Sequence, residues 1–198
     1  MDARADGPRT LCVYCGSSNR IPESHKRAAE RFGRAVAAAG CRLVYGGGRV
    51  GLMGIVADAM IRGGAEVIGI IPEFLHDYEV GHTGVTRLEV VDSMHTRKRR
   101  MAELADGFVV LPGGLGTLDE MFEIVTWRQL GLHRKPVILV NQDGYWNGLL
   151  AMVDTMCTTG YVRPEHLRLI QVVDDVDGVL PALDLAGEPE LNVRDKWL

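Results

Sequence analysis

Short apolar runs alternate along the chain with longer stretches whose apolar residues recur every three or four positions. Residues 11–14, 43–45, 67–71, 108–111 and 137–140 are apolar on both alternating faces, which predicts buried strands, and 88–91 and 170–173 read as two further strands. Between them, residues 22–39, 51–62, 93–105, 118–130 and 145–156 carry helical periodicity. In the first of these, Ala28, Ala29, Phe32, Val36 and Ala39 form one stripe that ends at Gly40. Strands buried on both faces and separated by helices predict an α/β fold: a Rossmann-like, doubly wound parallel sheet in three α/β/α layers, forming a single domain. That domain is expected over residues 10–186, with tails at 1–9 and 187–198 and no internal repeat.

Composition narrows the picture modestly. The 198 residues are 46% hydrophobic and 24% charged, which excludes disordered and fibrous classes. The net charge of −4 argues against nucleic acid or an acidic membrane surface as partner. No apolar run approaches the ~18 residues of a membrane span, and the opening residues are too polar for a signal peptide, so a cytoplasmic location is expected. Of the 4 Cys, Cys12 and Cys15 have CxxC spacing, but Cys12 falls inside an apolar strand run, so buried reduced thiols are expected. The 6 His show no ligand spacing, and no metal is expected.

Glycine is the one excess, with 24 residues against a usual share of ~7%, and it is clustered where strands pass into helices. Ligands of parallel α/β sheets bind in that region, beyond the carboxyl ends of the strands. Residues 15–19 (CGSSN) are small and rich in donors. Residues 45–54 (YGGGRVGLMG) contain G-x-G-x-x-G at Gly46, Gly48 and Gly51, with Glu73 farther on, as a dinucleotide site asks. This match follows the second strand, however, and residues 112–120 (PGGLGTLDE) make the better anion cradle. There, glycines let backbone N–H groups close on a phosphate at a helix N-terminus, and no Lys follows to make a Walker A loop.

Thr117 and Glu120 have the spacing of a capping box, in which Glu120 bonds back to the backbone of Thr117. A carboxylate beside a phosphate cradle is equally suited to chemistry on the attached sugar. Farther upstream, Met94, Met101, Leu104 and Ala105 form an apolar stripe that draws Arg97 and Lys98 inward and leaves Arg99 and Arg100 outside. Buried cations call for anions, and a phosphate or Glu120 would serve. His76, Asp77, Tyr78, Glu79 and His82, with Gly81 and Gly84, form a polar loop that reads as a solvated connection or as a lid.

Taken together, the motifs CGSS, YGGGxxGLMG, MHxRKxxM, PGGxGTxxE, TWxQLG (126–131) and DGYxN (143–147) make the chain resemble the Lonely Guy family. These are cytokinin riboside 5′-monophosphate phosphoribohydrolases, often mislabelled lysine decarboxylases. The resemblance runs from about Thr10 to Val173. It implies hydrolysis of the bond between adenine and ribose 5-phosphate in AMP or N6-isopentenyladenosine monophosphate, in a homodimer without cofactor or metal. It also implies catalysis by Arg97 and Glu120, substrate contacts from Lys98 and Glu79, and a phosphate held by Gly113, Gly114, Leu115, Gly116 and Thr117. The expected substrate-contacting set further includes Ser17, Gly47, Gly48, Met94 and Thr126. Met53, Met94, Met121 and Trp127 are available for an apolar base pocket, although such residues are commonly core.

Decarboxylation with pyridoxal phosphate asks for a Schiff-base lysine, and Lys26, Lys98, Lys135 and Lys196 are poorly suited by position. Two other readings remain open. Molybdenum-cofactor carriers resemble the family in the glycine loops but need no catalytic Glu, and an oxidoreductase built on Gly46–Gly51 would bind nicotinamide cofactors.

Overall fold

The computed structural model describes residues 7–76 and 81–185. Seven strands form one parallel sheet of Rossmann-like α/β architecture: β1 (Thr10–Tyr14), β2 (Arg42–Tyr45), β3 (Val67–Pro72), β4 (Arg87–Val91), β5 (Gly107–Val110), β6 (Val137–Val140) and β7 (Gln171–Val173). Their order, β4-β3-β2-β1-β5-β6-β7, reverses direction at β1, as in a doubly wound fold. The helices are α1 (Glu23–Ala38), α2 (Gly51–Arg62), α3 (Glu73–His76), α4 (Met94–Leu104), α5 (Leu115–Gln129), α6 (Asn147–Thr158) and α7 (Val179–Leu185).

The chain divides into two compact units. The first holds the described residues up to Val13 together with Ser17–Asp106. In it β1, β2, β3 and β4 pair in register, Leu11 against Leu43, Val44 against Ile68 and Ile70 against Glu89. β1 and β3 are buried along their whole length, and α1 packs on α2. Phe32 and Val36 of α1 and Val56 and Met60 of α2 are no more than 1% exposed. Burying side chains of this size contributes roughly 1.5–3 kcal/mol each. α1 stops at Gly40, whose φ of 71° suits only glycine well and lets the Cys41 N–H reach back to the Val36 carbonyl.

The second unit holds Tyr14–Gly16 and the described residues from Gly107 onward. Here β5, β6 and β7 pair in register, Val109 against Ile138 and Leu139 against Val172. β5 and β6 are fully buried. Phe108 stacks on Tyr14 and packs against His133.

The strand and helix positions follow the hydrophobic pattern closely, but the short α3 lies where no helix was expected and the edge strands β4 and β7 hold no buried residue. α5 begins at Leu115, three residues before the expected start. α7 and three short 3-10 turns carry too few residues for periodicity to reveal.

Candidate active site

Each unit carries part of the residue set singled out by the sequence. In the first unit, the Ser93 side chain caps α4 by accepting from the Thr96 N–H. From this helix Arg97 and Lys98 turn inward, 4% and 8% exposed, while Arg99 is exposed and Arg100 pairs with Glu89. Two backbone carbonyls help fix the Arg97 guanidinium. Nε donates to Ile70 at 3.1 Å, Nη2 donates to Gly46 at 2.7 Å, and Nη1 lies 3.7 Å from Met94 Sδ.

The glycines of the 45–54 loop are explained by this clamp. A Cβ on Gly46 would overlap the Arg97 guanidinium, and one on Gly54 would overlap the Arg49 carbonyl. Gly47 and Gly48 are buried, with the Gly47 carbonyl accepting from His82 N–H at 2.9 Å and Gly48 bridging to Gly81. Ser17 is exposed, and Asn19 Oδ1 accepts from the Gly51 N–H at 2.9 Å, tying the CGSSN loop to α2. Sequence reasoning gives Asn19 no role of its own, and its short amide ahead of a glycine loop is the only signal that could have found it.

The loop after β3 is firmly anchored at its end, contrary to its reading as a solvated connection. His82 is 4% exposed, its Nε2 donates to Asp58 at 3.0 Å, and its Nδ1 accepts from Gly84 N–H at 3.1 Å. Glu79 lies outside the described residues, as do Asp77 and Tyr78.

In the second unit the end of β1 is zipped to the PGG loop, Leu111 N–H donating to Tyr14 and Gly16 N–H to Pro112. Gly114 is the N-cap of α5, and Leu118 N–H closes the first helical bond onto its carbonyl at 3.1 Å. Thr117 therefore sits inside the helix, and the expected capping box does not form. The helix supplies the backbone N–H groups of Leu115, Gly116 and Thr117 without intrahelical partners, at its positive end.

Gly114, Leu115 and Gly116 are exposed, whereas Thr117 is buried and its Oγ1 occupies the place of a Cβ on Gly113. Glu120, half-buried, shares a helix face with Gly116 and Thr117 one turn away. Burial pushes the nearby Cys15 thiol far up, and the negative charge of Glu120 adds to that, so Cys15 stays a neutral thiol. Cys12 and Cys41 are also buried and Cys157 is half-buried, and none of the four forms a disulfide.

Met53 and Met121 are core residues, 7% and 0% exposed, while Met94 and Trp127 are half-buried. Thr126 is exposed on α5 and lines an apolar cavity of about 540 Å³ together with Phe122, Val125, Leu149, Leu150 and Val153. Among the described residues no cluster of His, Cys, Asp or Glu is suited to hold a metal ion, and no helix is long and apolar enough to cross a membrane.

A family model described as "possible lysine decarboxylase" matches residues 53–183. A cytokinin riboside 5′-monophosphate phosphoribohydrolase of Rhodococcoides fascians is 43% identical over 177 residues, 89% of each chain. The chain belongs to that family. The Arabidopsis thaliana phosphoribohydrolase LOG7 is 45% identical over 184 residues, 93% of this chain and 84% of its own. Solved structures with the same fold include the molybdenum cofactor binding protein of Rippkaea orientalis, with a TM-score of 0.70 at 19% identity over 91% of this chain and 98% of that one. The molybdenum cofactor carrier of Chlamydomonas reinhardtii has a TM-score of 0.69 at 20% identity, over 89% and 96%. The carriers share the architecture at 19–20% identity, whereas the phosphoribohydrolases are 43–45% identical to this chain.

Proposed function

We propose that this phosphoribohydrolase-family chain hydrolyses the N-glycosidic bond of adenine-type nucleoside 5′-monophosphates, releasing the free base and ribose 5-phosphate. The observation that carries the reading is the 43–45% identity, over about nine-tenths of the chain, to relatives bearing that activity in their names. The α5 N-terminus supports it, because a helix that opens at Gly114 takes the capping role away from Glu120. Gly113–Thr117 hold the 5′-phosphate with backbone N–H groups and the helix dipole, which concentrates about half a positive charge there. Cleavage passes through a sugar cation resembling an oxocarbenium ion, so the Glu120 carboxylate stabilises positive charge at C1′ and activates the attacking water. Arg97, immobilised by Gly46 and Ile70, contributes a preorganised cation, and Lys98 and Glu79 contact the substrate.

The working form is a homodimer. α6 has no buried residue although Leu149, Leu150, Val153 and Met156 lie along it, and it borders the 540 Å³ apolar cavity, a face suited to a second copy. The protein acts in the cytoplasm, where its four free thiols remain reduced.

Release of adenine from AMP and of the modified base from N6-isopentenyladenosine monophosphate, measured for wild type and Glu120→Gln, tests the reading. Wild type cleaves, and the Gln variant stays folded with an unchanged melting temperature but loses ~10²-fold or more in kcat. The ratio of the two wild-type rates names the preferred base. Nucleotide binding without cleavage by wild type would overturn the reading in favour of a carrier.

A further inference from the structure

The DGYxN motif has so far no part in the reaction, yet the structure gives it a definite shape. Asp143 and Gly144 take consecutive left-handed conformations, with φ of 56° and 72°. Asn141 staples the turn from below: its Oδ1 accepts from Trp146 N–H at 2.7 Å and its Nδ2 donates to Asn147 Oδ1 at 2.8 Å. The turn closes further through Gly144 N–H to the Asn141 carbonyl and Tyr145 N–H to the Gln142 carbonyl. Trp146 is buried and meets the Tyr145 ring edge-on at 4.7 Å between centroids. From this turn the Tyr145 hydroxyl donates to the Gly113 carbonyl at 2.7 Å.

That contact falls on a weak point of the chain. The peptide between Gly113 and Gly114 has glycine on both sides, so no Cβ resists its rotation. In a trans peptide the carbonyl and the following N–H point in opposite directions. Flipping this one would turn the Gly113 carbonyl toward the side where Gly114 offers its N–H. A carbonyl there would repel an anion.

We propose that Tyr145 is a positioning residue for the anion loop, holding the Gly113 carbonyl so that the Gly114 N–H faces the 5′-phosphate of the substrate. This rests on the phosphate reading of Gly113–Thr117 given above. Through its bond to the Gly113 carbonyl the Tyr145 hydroxyl affects phosphate affinity, a role that a split between KM and kcat separates from the chemistry at C1′. One neutral hydrogen bond corresponds to about a 3- to 10-fold change in an equilibrium.

The test compares wild type with Tyr145→Phe by calorimetric titration with inorganic phosphate and with ribose 5-phosphate, alongside kcat and KM for AMP. The expected result is a 3- to 10-fold weaker Kd for both anions and a matching rise in KM, with kcat and melting temperature near wild type. Equal anion affinity in the two proteins overturns the brace and leaves the hydrolase reading intact. A merely structural role would lower the melting temperature and the active fraction while leaving Kd unchanged, and that outcome also overturns it. If wild type binds phosphate but cleaves nothing, the hydrolase reading fails while the Kd comparison still decides the brace. If wild type binds neither anion, both fall. Should the Phe variant not fold, Asn147→Ala takes its place, because it removes the acceptor of Asn141 Nδ2 and loosens the turn that presents Tyr145. It is expected to weaken both anions, and unchanged affinities would overturn the proposal.

Discussion

At the scale of single residues, several side chains are defined by space that a neighbour leaves empty. Arg97 reaches the Gly46 carbonyl because Gly46 has no Cβ, and Thr117 tucks against Gly113 for the same reason. The sequence makes Arg97 and Lys98 legible as inward-facing, since Met94, Met101, Leu104 and Ala105 define a stripe beside them. It leaves the two carbonyls that accept from Arg97 illegible, because they belong to the backbone and carry no residue-type signal.

His133 shows how such backbone bonds set a titration. Its Nε2 donates to the Ile124 carbonyl at 2.9 Å, and its Nδ1 accepts from Lys135 N–H at 3.2 Å, so the neutral ring is the one that fits. Burial pushes its pKa down, and the Lys135 and Arg128 cations add to this against the opposing pull of the Ile124 bond. The unfolded chain therefore binds a proton below pH ~6.5 that the folded chain resists, and stability falls as pH drops through and below that value. Urea midpoints measured from pH 8 to pH 5 should fall less steeply for His133→Gln, which keeps a donor for Ile124 and has no proton to gain.

At the scale of elements, the periodic segments were readable and their punctuation was less so. α2 and β6 fall where the apolar pattern puts them, while α5 starts earlier than Thr117 and Glu120 suggest. Glycine is a poor helix former, so a helix that opens through Leu115 and Gly116 runs against local propensity, and the fold around the loop overrides it. α7 is invisible for a different reason: Pro181 and a length of 7 residues hide a helix whose Val179, Ala182 and Leu183 are nevertheless buried.

Glycines within helices divide accordingly. Gly148, in the first turn of α6, has nothing within 4 Å of the position a Cβ would take. Gly148→Ala should stabilise by about 0.4–1 kcal/mol and raise the melting temperature by ~1–3 °C, with kcat unaltered, as differential scanning calorimetry and the nucleotide assay would show.

At the scale of the molecule, architecture and activity separate cleanly. The chain shares its fold with molybdenum cofactor proteins at TM-scores near 0.70 but only 19–20% identity, so the sheet order alone decides nothing about chemistry. Leu149, Leu150, Val153 and Met156 of α6 are half-buried around the apolar cavity, and Val153→Glu places a charge on the face assigned to the second copy. Light scattering on a sizing column should give a dimer for wild type and a monomer for the variant, and a monomeric wild type would refute the assignment.

The distribution of sulfur then makes the molecule its own clock. Cys12, within β1, is 0% exposed, and Cys15 and Cys41 are 7% exposed, whereas Cys157 is half-buried on α6. In the monomeric Val153→Glu variant, where no second copy covers α6, an electrophile consumes Cys157 first. The later consumption of the other three follows the rate at which the sheet opens, so counting modified thiols by mass over time reads out the lifetime of the folded state without denaturant.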